Sequence, residues 1–559
     1  MVQRPIISLS MLFSFRFRGS GSARTRWCAA TVICLCLLAG SRVSGQGQTQ
    51  GQAEAEGATA GKGRILLVLP FDNRTGQPSL EWIREAAPEL LSARFASAGF
   101  APMSRADRMY ALDHLGLPQQ FQPSRASSLK LAQTLDADSI VVGNFRTQGS
   151  NIVAEGQVVN VPHLRMSDAV SAQGDIHDLI AVLDSLAWKL TRVMDPNFRV
   201  ARETFVAAGA NLRLDAFEQY IRGISEPDQQ ERLRHLKQSV ALSPNYGPAW
   251  MALGREDFNS QQYEQAATAF ARVNRNDPDV LEAGFYRGLS LLFSGSYAKA
   301  EEAFAGVARM LPLADVLNNQ GVAASRQGHD GTGLFVQAAA ADPNDPDYHF
   351  NLAVSLKRHG SDTSALNELT QCLKLRPNDS EAQQLLAQWK APRASADPNE
   401  QAEPLERIKR TFDADAFRQA ALMMDQMESA RLAALSPHDR ALKLSSQAKD
   451  YLDRGLLLEA ERLYRAAVSV DGSVAAAHAG LATVRERTGD AADARKEASA
   501  ALELGPSVDA YLVLGRLDLA ANQMDNASKE IAAALKLDPG SRPAQQLNRQ
   551  IEARTGKKQ

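Results

Sequence analysis

Residues capable of chemistry are plentiful in this chain, but their spacing assembles no reaction centre. Nine His residues are scattered without an HExxH pair, and no CxxC pair occurs. No tetrahedral set of imidazole and thiolate ligands is therefore spelled out, and no metal is predicted. No GxSxG turn presents a nucleophilic serine. The stretch Gly57 to Gly63 approaches a phosphate-binding loop, but it is one residue short, and Gly63 stands where a magnesium-binding hydroxyl is required. Asp72, Arg74 and Asp138 could be read as an enzyme site, yet loop and turn capping accounts for them more simply. No catalytic residue and no cofactor are predicted. What the residue types do offer is recognition: Asn amides that match both polar groups of a peptide unit, and Arg or Lys side chains that bind carboxylates.

Such groups act only if rigid elements hold them. The chain has 559 residues, 62 Lys and Arg, 64 Asp and Glu, and 44% hydrophobic residues, enough for roughly three or four domains with cores of their own. A net charge of -2 gives no reason to expect nucleic acid as a partner. At the N-terminus, Arg16, Arg18, Arg24 and Arg26 precede an apolar run from Cys28 to Ala39, with small Val43 and Gly45 before Gln46. Residues 1–45 thus read as a secretory signal, which predicts an exported, periplasmic or cell-envelope protein. The alternative is an uncleaved anchor, although the run is shorter than the roughly 20 residues that span a bilayer. Ser41 follows Leu38-Ala39-Gly40, so no lipid anchor is expected. Signal removal would leave Cys372 as the one cysteine, read here as a small buried helix residue. Residues 46–62, rich in Gln, Gly and Ala, read as a disordered linker.

Residues 63–200 read as an α/β domain. RILLVLPF from Arg64 is a buried strand ended by turn residues. Helices are predicted over Trp82–Phe95, Arg105–Leu115, Ser127–Leu135 and Leu179–Met194, and strands near Phe100–Met103, Ser139–Val142 and Ile152–Val159. In order, LPFDNRTG, EWIREAAPELLSARF, MSRAD and LAQTLDADSIVVGNF resemble the module of the TolB N-terminal and FlgO-type family. That resemblance implies a docking or assembly role in the cell envelope and assigns no functional residue.

From about residue 212 the sequence repeats. Pro244, Pro278 and Pro312 are spaced by 34, as are Gly254 and Gly288, Tyr263 and Tyr297, Ala266 and Ala300, and Phe270 and Phe304. The register resembles the tetratricopeptide repeat (TPR), a pair of antiparallel helices whose small residues permit close approach. It places a first array at 212–390, a linker at 391–405, and a second array at 406–555 with a capping helix. Residues 406–436 read as helical but off pattern. The copy from Asn318 to Pro343 is short and has Asp330 and Gly333 where Tyr and Ala are expected. The fold class is thus multidomain: a small TolB-like α/β domain followed by an all-α superhelix in two arrays.

The resemblance also implies a concave groove lined by the first helix of each pair. In this register the lining comprises Arg255, Phe258, Asn259, Phe285, Phe293, Asn318, Asn319, Arg326, Asn351, Lys357 and Arg358. The plainer reading is that Phe285 and Phe293 are core and that Asn319 and Asn351 satisfy neighbouring backbone. The Lys and Asn pair of the family's carboxylate clamp is not reproduced. Together these features predict a non-enzymatic exported adaptor that binds protein or peptide partners, with its first domain docked to an envelope complex. The alternative is a cytoplasmic or membrane-tethered regulator, because DAFEQYIRG at 215–223 resembles the repeat entrance of signalling proteins.

Overall fold

The structure, a computed structural model, describes residues 65–118, 124–391 and 404–555. The expected signal (1–45), the expected tether (46–62) and most of the expected linker lie outside the described residues.

The first unit is a three-layer sandwich on a seven-stranded mixed sheet. The chain runs β1 (Ile65–Val68), β2 (Asp72–Asn73), α1 (Ile83–Ser97), β3 (Ala101–Pro102), α2 (Arg105–His114), α3 (Arg125–Thr134), β4 (Ser139–Gln148), β5 (Asn151–Asn160), β6 (Arg165–Met166), β7 (Val170–Asp175) and α4 (Leu179–Met194). Strand β1 lies between β3 and β4, parallel to both. The run Leu66 to Leu69 is apolar at every position because both sheet faces are covered. Leu66 and Val68 join the core with α1 and α4, whereas Leu67 and Leu69 join the core with α2 and α3. Strands β4 and β5 pair antiparallel along their whole length, turning at Gly149, whose φ of +65° favours glycine. Strand β7, which the sequence reading did not place, pairs with β5. In its sequence VSAQGD only Ala172 is buried, so no apolar alternation marks it.

A short α5 (Arg202–Gly209) leads into the first repeats. These are α6 (Leu214–Ser225), α7 (Gln229–Leu242), α8 (Gly247–Asn259), α9 (Tyr263–Phe270), α10 (Val280–Phe293), α11 (Tyr297–Met310), α12 (Ala314–Ser325), α13 (Thr332–Ala341), α14 (Pro346–Arg358), α15 (Asp362–Leu375) and α16 (Ser380–Lys390). Within a pair, a glycine on the first helix receives a ring from the second. A Cβ at Gly254, Gly288 or Gly321 would lie 2.7, 2.6 or 2.8 Å from Phe270, Phe304 or Phe335 respectively. The short repeat keeps this contact through Phe335, so the loss of the expected Tyr and Ala trims α13 without opening its core. Cys372 is fully buried on α15, and burial pushes its thiol pKa up to about 11.

The second set comprises α17 (Ala414–Ala433), α18 (Pro437–Asp453), α19 (Leu457–Val470), α20 (Ala475–Arg487), α21 (Ala491–Leu504), α22 (Val508–Ala520), α23 (Met524–Leu537) and α24 (Arg542–Thr555). The expectation of helix from residue 406 is corrected here. Residues 404–413 carry no helix, and α17 begins at Ala414. The reason is tertiary: the backbone groups that a helix would pair internally at Arg407 and Lys409 are taken by side chains of the first array.

The units share their cores. Phe285, Phe304 and Tyr348 of the first array belong to one apolar cluster with Phe417, Ala441 and Tyr464 of the second. Leu66 and Phe71 of the first unit belong to another with Phe217 and Leu236 of the first repeats and Leu458 of α19. No helix among the described residues is long and apolar enough to cross a membrane.

Candidate functional site

The candidate site lies where α12 and α14 face residues 404–413. Three buried asparagines stand there side by side, and each is 0% exposed. Asn351 on α14 accepts the N–H of Arg407 at 2.6 Å and donates to its carbonyl at 2.8 Å. Asn319 on α12 does the same at Lys409, accepting its N–H at 2.9 Å and donating to its carbonyl at 2.7 Å. Asn318 links the two clamps. It donates to the Arg407 carbonyl at 3.0 Å and to Asn319 at 3.2 Å, and it accepts from Asn351 at 2.7 Å. In an extended chain, residues two apart present their backbone groups on the same side. The bonds at 407 and 409 therefore hold the main chain at alternate residues and make no use of its side chains.

Side chains of the segment meet partners of opposite charge, basic at Glu406 and acidic at Arg407 and Lys409. Glu406 is 4% exposed. It accepts from Ser325, pairs with Arg358 at 2.7 Å and faces Arg326 at 3.8 Å. Burial alone would raise its pKa, but the hydrogen bonds from Ser325 and Arg358 outweigh that and hold it below the ordinary value. Arg407 meets both oxygens of Asp379 at 2.6 and 2.8 Å, reaches Asp347 at 3.1 Å and Glu381 at 2.8 Å, and lies 3.7 Å above the Phe350 ring. That is the bidentate and stacked geometry a planar guanidinium permits. Lys409 bridges Asp345 at 2.5 Å and Asp347 at 2.8 Å and sits over the Tyr348 ring. Burial pulls the Asp347 pKa upward, but the Lys409 and Arg376 hydrogen bonds prevail and hold it well below the carboxylate range. At the far end Phe412 packs on Phe285 with ring centroids 5.6 Å apart, and the Asp413 N–H is accepted by Asp315 at 3.1 Å. Burial pushes the Asp315 pKa up to about 7.

The residues expected to line the groove divide in two. Asn318, Asn319, Asn351, Arg326 and Arg358 come together on the segment, and Phe285 is both core and platform. Arg255 instead pairs with Glu282 at 2.8 Å. Phe258 packs among Tyr263, Tyr286 and Phe293, Asn259 is exposed, and Lys357 turns to Asp362 at 2.9 Å and the Trp389 ring. Phe293 is partly buried under the Arg410 guanidinium. Sequence reasoning missed Asp345, Asp347 and Asp379, which lie just before or at the start of first helices, where a carboxylate reads as an N-cap. The run of charges at Glu406, Arg407, Lys409 and Arg410, one acidic residue followed by three basic ones, was the one signal that the segment pairs with charged side chains. Asp138, weighed as an enzyme residue, accepts the Ile65 N–H at 3.0 Å and so pins the first strand.

Residues 251–315, 446–509 and 480–542 match the family model of the tetratricopeptide repeat, and these stretches are such repeats. Solved structures similar to the chain include MamA 41-end from Desulfovibrio magneticus RS-1, at 22% identity over 33% of this chain and 100% of that one, with a TM-score of 0.26. Another is YrrB, described as a TPR protein with an unusual peptide-binding site, at 14% identity over 35% of this chain and 96% of that one, TM-score 0.27. The LpoB C-terminal domain from Salmonella enterica is similar at 20% identity over 20% of this chain and 83% of that one, TM-score 0.18. No curated protein matches the chain.

Proposed function

We propose that this chain is a non-enzymatic scaffold that binds an extended peptide of a protein partner in the groove of its first repeat array. One observation carries the reading: paired amide clamps at Asn351 and Asn319 hold extended main chain at alternate residues. Such clamps make no use of a reactive group, and they suit protein recognition, the general work of tetratricopeptide arrays. The finer reading is that the scaffold is exported and that its TolB-like first domain docks it to an envelope complex. The Arg-flanked apolar run of residues 16–39 supports export, and the motifs LPFDNRTG through LAQTLDADSIVVGNF support the docking role.

The groove is tested by Arg326→Glu combined with Arg358→Glu. Made in a chain whose residues 404–413 are released by Arg407→Glu with Lys409→Glu, the pair should weaken partner binding at least tenfold while the melting curve of the array stays cooperative, and unchanged affinity there would remove this groove from the reading. Export is tested by fusing residues 1–62 to a reporter active only outside the cytoplasm. An inactive reporter in the cytoplasmic fraction would favour the regulator reading over the exported adaptor.

A further inference from the structure

The groove is already filled by the chain's own residues 404–413, and the manner of filling says what else it takes. We propose that the groove is a sequence-selective receptor for extended peptides carrying an acidic residue, a basic residue directly after it, a second basic residue two further on and an aromatic three beyond. We further propose that residues 404–413 are its resident competitor, which a partner must displace. This rests on the peptide-groove reading and adds the ligand's chemistry to it.

Three features of the pocket order support selectivity. The clamps at Arg407 and Lys409 fix register, because a shift by one residue would aim the peptide's backbone groups away from both asparagines. The charges fix direction. Arg358 meets Glu406 at one end, while Asp347 and Asp379 meet the cations that follow. A reversed peptide would bring its cations toward Arg358, an arrangement that rejects as well as attracts. The first basic place favours Arg over Lys, since only a planar guanidinium can meet both Asp379 oxygens while stacked on Phe350.

The resident segment competes as an intramolecular ligand. It is joined covalently to both arrays, which sets its effective concentration at about the millimolar level or higher. An outside peptide of equal intrinsic affinity therefore binds the unmodified chain weakly, in proportion to the fraction of grooves that stand open.

The test uses the full chain and a fluorescent peptide spanning residues 404–413, followed by anisotropy. In Arg407→Glu with Lys409→Glu, the resident segment repels the acidic pocket and frees the groove. This variant should bind the peptide at least tenfold more tightly than the unmodified chain. A peptide with the same two reversals should bind at least tenfold more weakly. Equal binding of both peptides would overturn selectivity while leaving the groove reading in place. Binding of neither, with helical circular dichroism and melting unchanged, would overturn both. Displacement is read independently on the unmodified, isotope-labelled chain. Unlabelled peptide at millimolar concentration should accelerate hydrogen exchange at its Arg407 and Lys409 amides, and constant protection would overturn the resident-competitor role even if the variant failed to fold.

Discussion

At the residue scale, the site depends on amide groups that are buried only because a peptide backbone satisfies them. In Asn351→Ala, the N–H of Arg407 loses its acceptor while the carbonyl keeps the Asn318 bond, a cost of about 1–3 kcal/mol for the donor left unpaired. Hydrogen exchange at the Arg407 amide should accelerate by roughly tenfold to a hundredfold, whereas Asn259→Ala, at an exposed position, should leave it unchanged. Equal protection in all three proteins would show that the clamp does not hold the segment. Protonation offers a second probe. Asp379 is held below its ordinary pKa chiefly by the Arg407 hydrogen bond, and Asp347 and Glu406 are depressed against the pull of burial. Each carboxyl binds fewer protons with the segment docked than with it released. Their contribution is therefore complete above the ordinary carboxylate range, near about pH 4, and is lost as pH falls through the depressed values. Asp315 acts with the opposite sign on the array: its raised pKa favours the folded state most at low pH, and that advantage fades as pH rises to about 7. Exchange at Arg407 and Lys409, corrected for intrinsic rate, should lose protection from about pH 4 downward, and protection independent of pH would contradict the ion-pair account.

At the element scale, helix pairs stand or fall by one close approach. Gly288 lies under Phe304, and an added Cβ would meet that ring at 2.6 Å. Gly288→Ala should cost about 1–3 kcal/mol by overpacking, read as a lower urea midpoint, and Phe304→Leu in the same chain should recover part of the loss. If the double variant were no more stable than the single one, crowding against the ring would not be the cause. This approach was legible in the sequence because Gly and Phe recur at fixed spacing. The extended segment was not. Leu405 to Phe412 contains good helix formers, and its local propensity favours the helix that the sequence reading placed there. The first array overrides that preference by supplying hydrogen bonds from side chains nearly 60 to 90 residues away in sequence.

At the scale of the whole molecule, the second array returns to α5, the helix that follows the first domain. Glu461 on α19 accepts from the Ala201 N–H at 3.1 Å, pairs with Arg465 at 2.7 Å, and is bonded to Thr204 on α5 and to Arg485 on α20. Arg485 is 1% exposed and Glu461 0%. Glu461→Leu would strand a buried guanidinium, which typically costs about 3–5 kcal/mol, whereas Glu461→Leu with Arg485→Leu should cost less because no charge is left unpaired. Urea unfolding of both variants checks the order, and a double variant weaker than the single would refute it. The sequence by itself determined the repeat and the strands with continuous apolar runs, because these follow from local periodicity and from small and aromatic residues at fixed spacing. Only the tertiary structure decided that residues 404–413 are not helical, that Arg407 and Lys409 are held by Asn351 and Asn319, and that both arrays and the sheet share cores. Those outcomes depend on hydrogen bonds and ion pairs between residues far apart in the chain, whose partners no local pattern specifies.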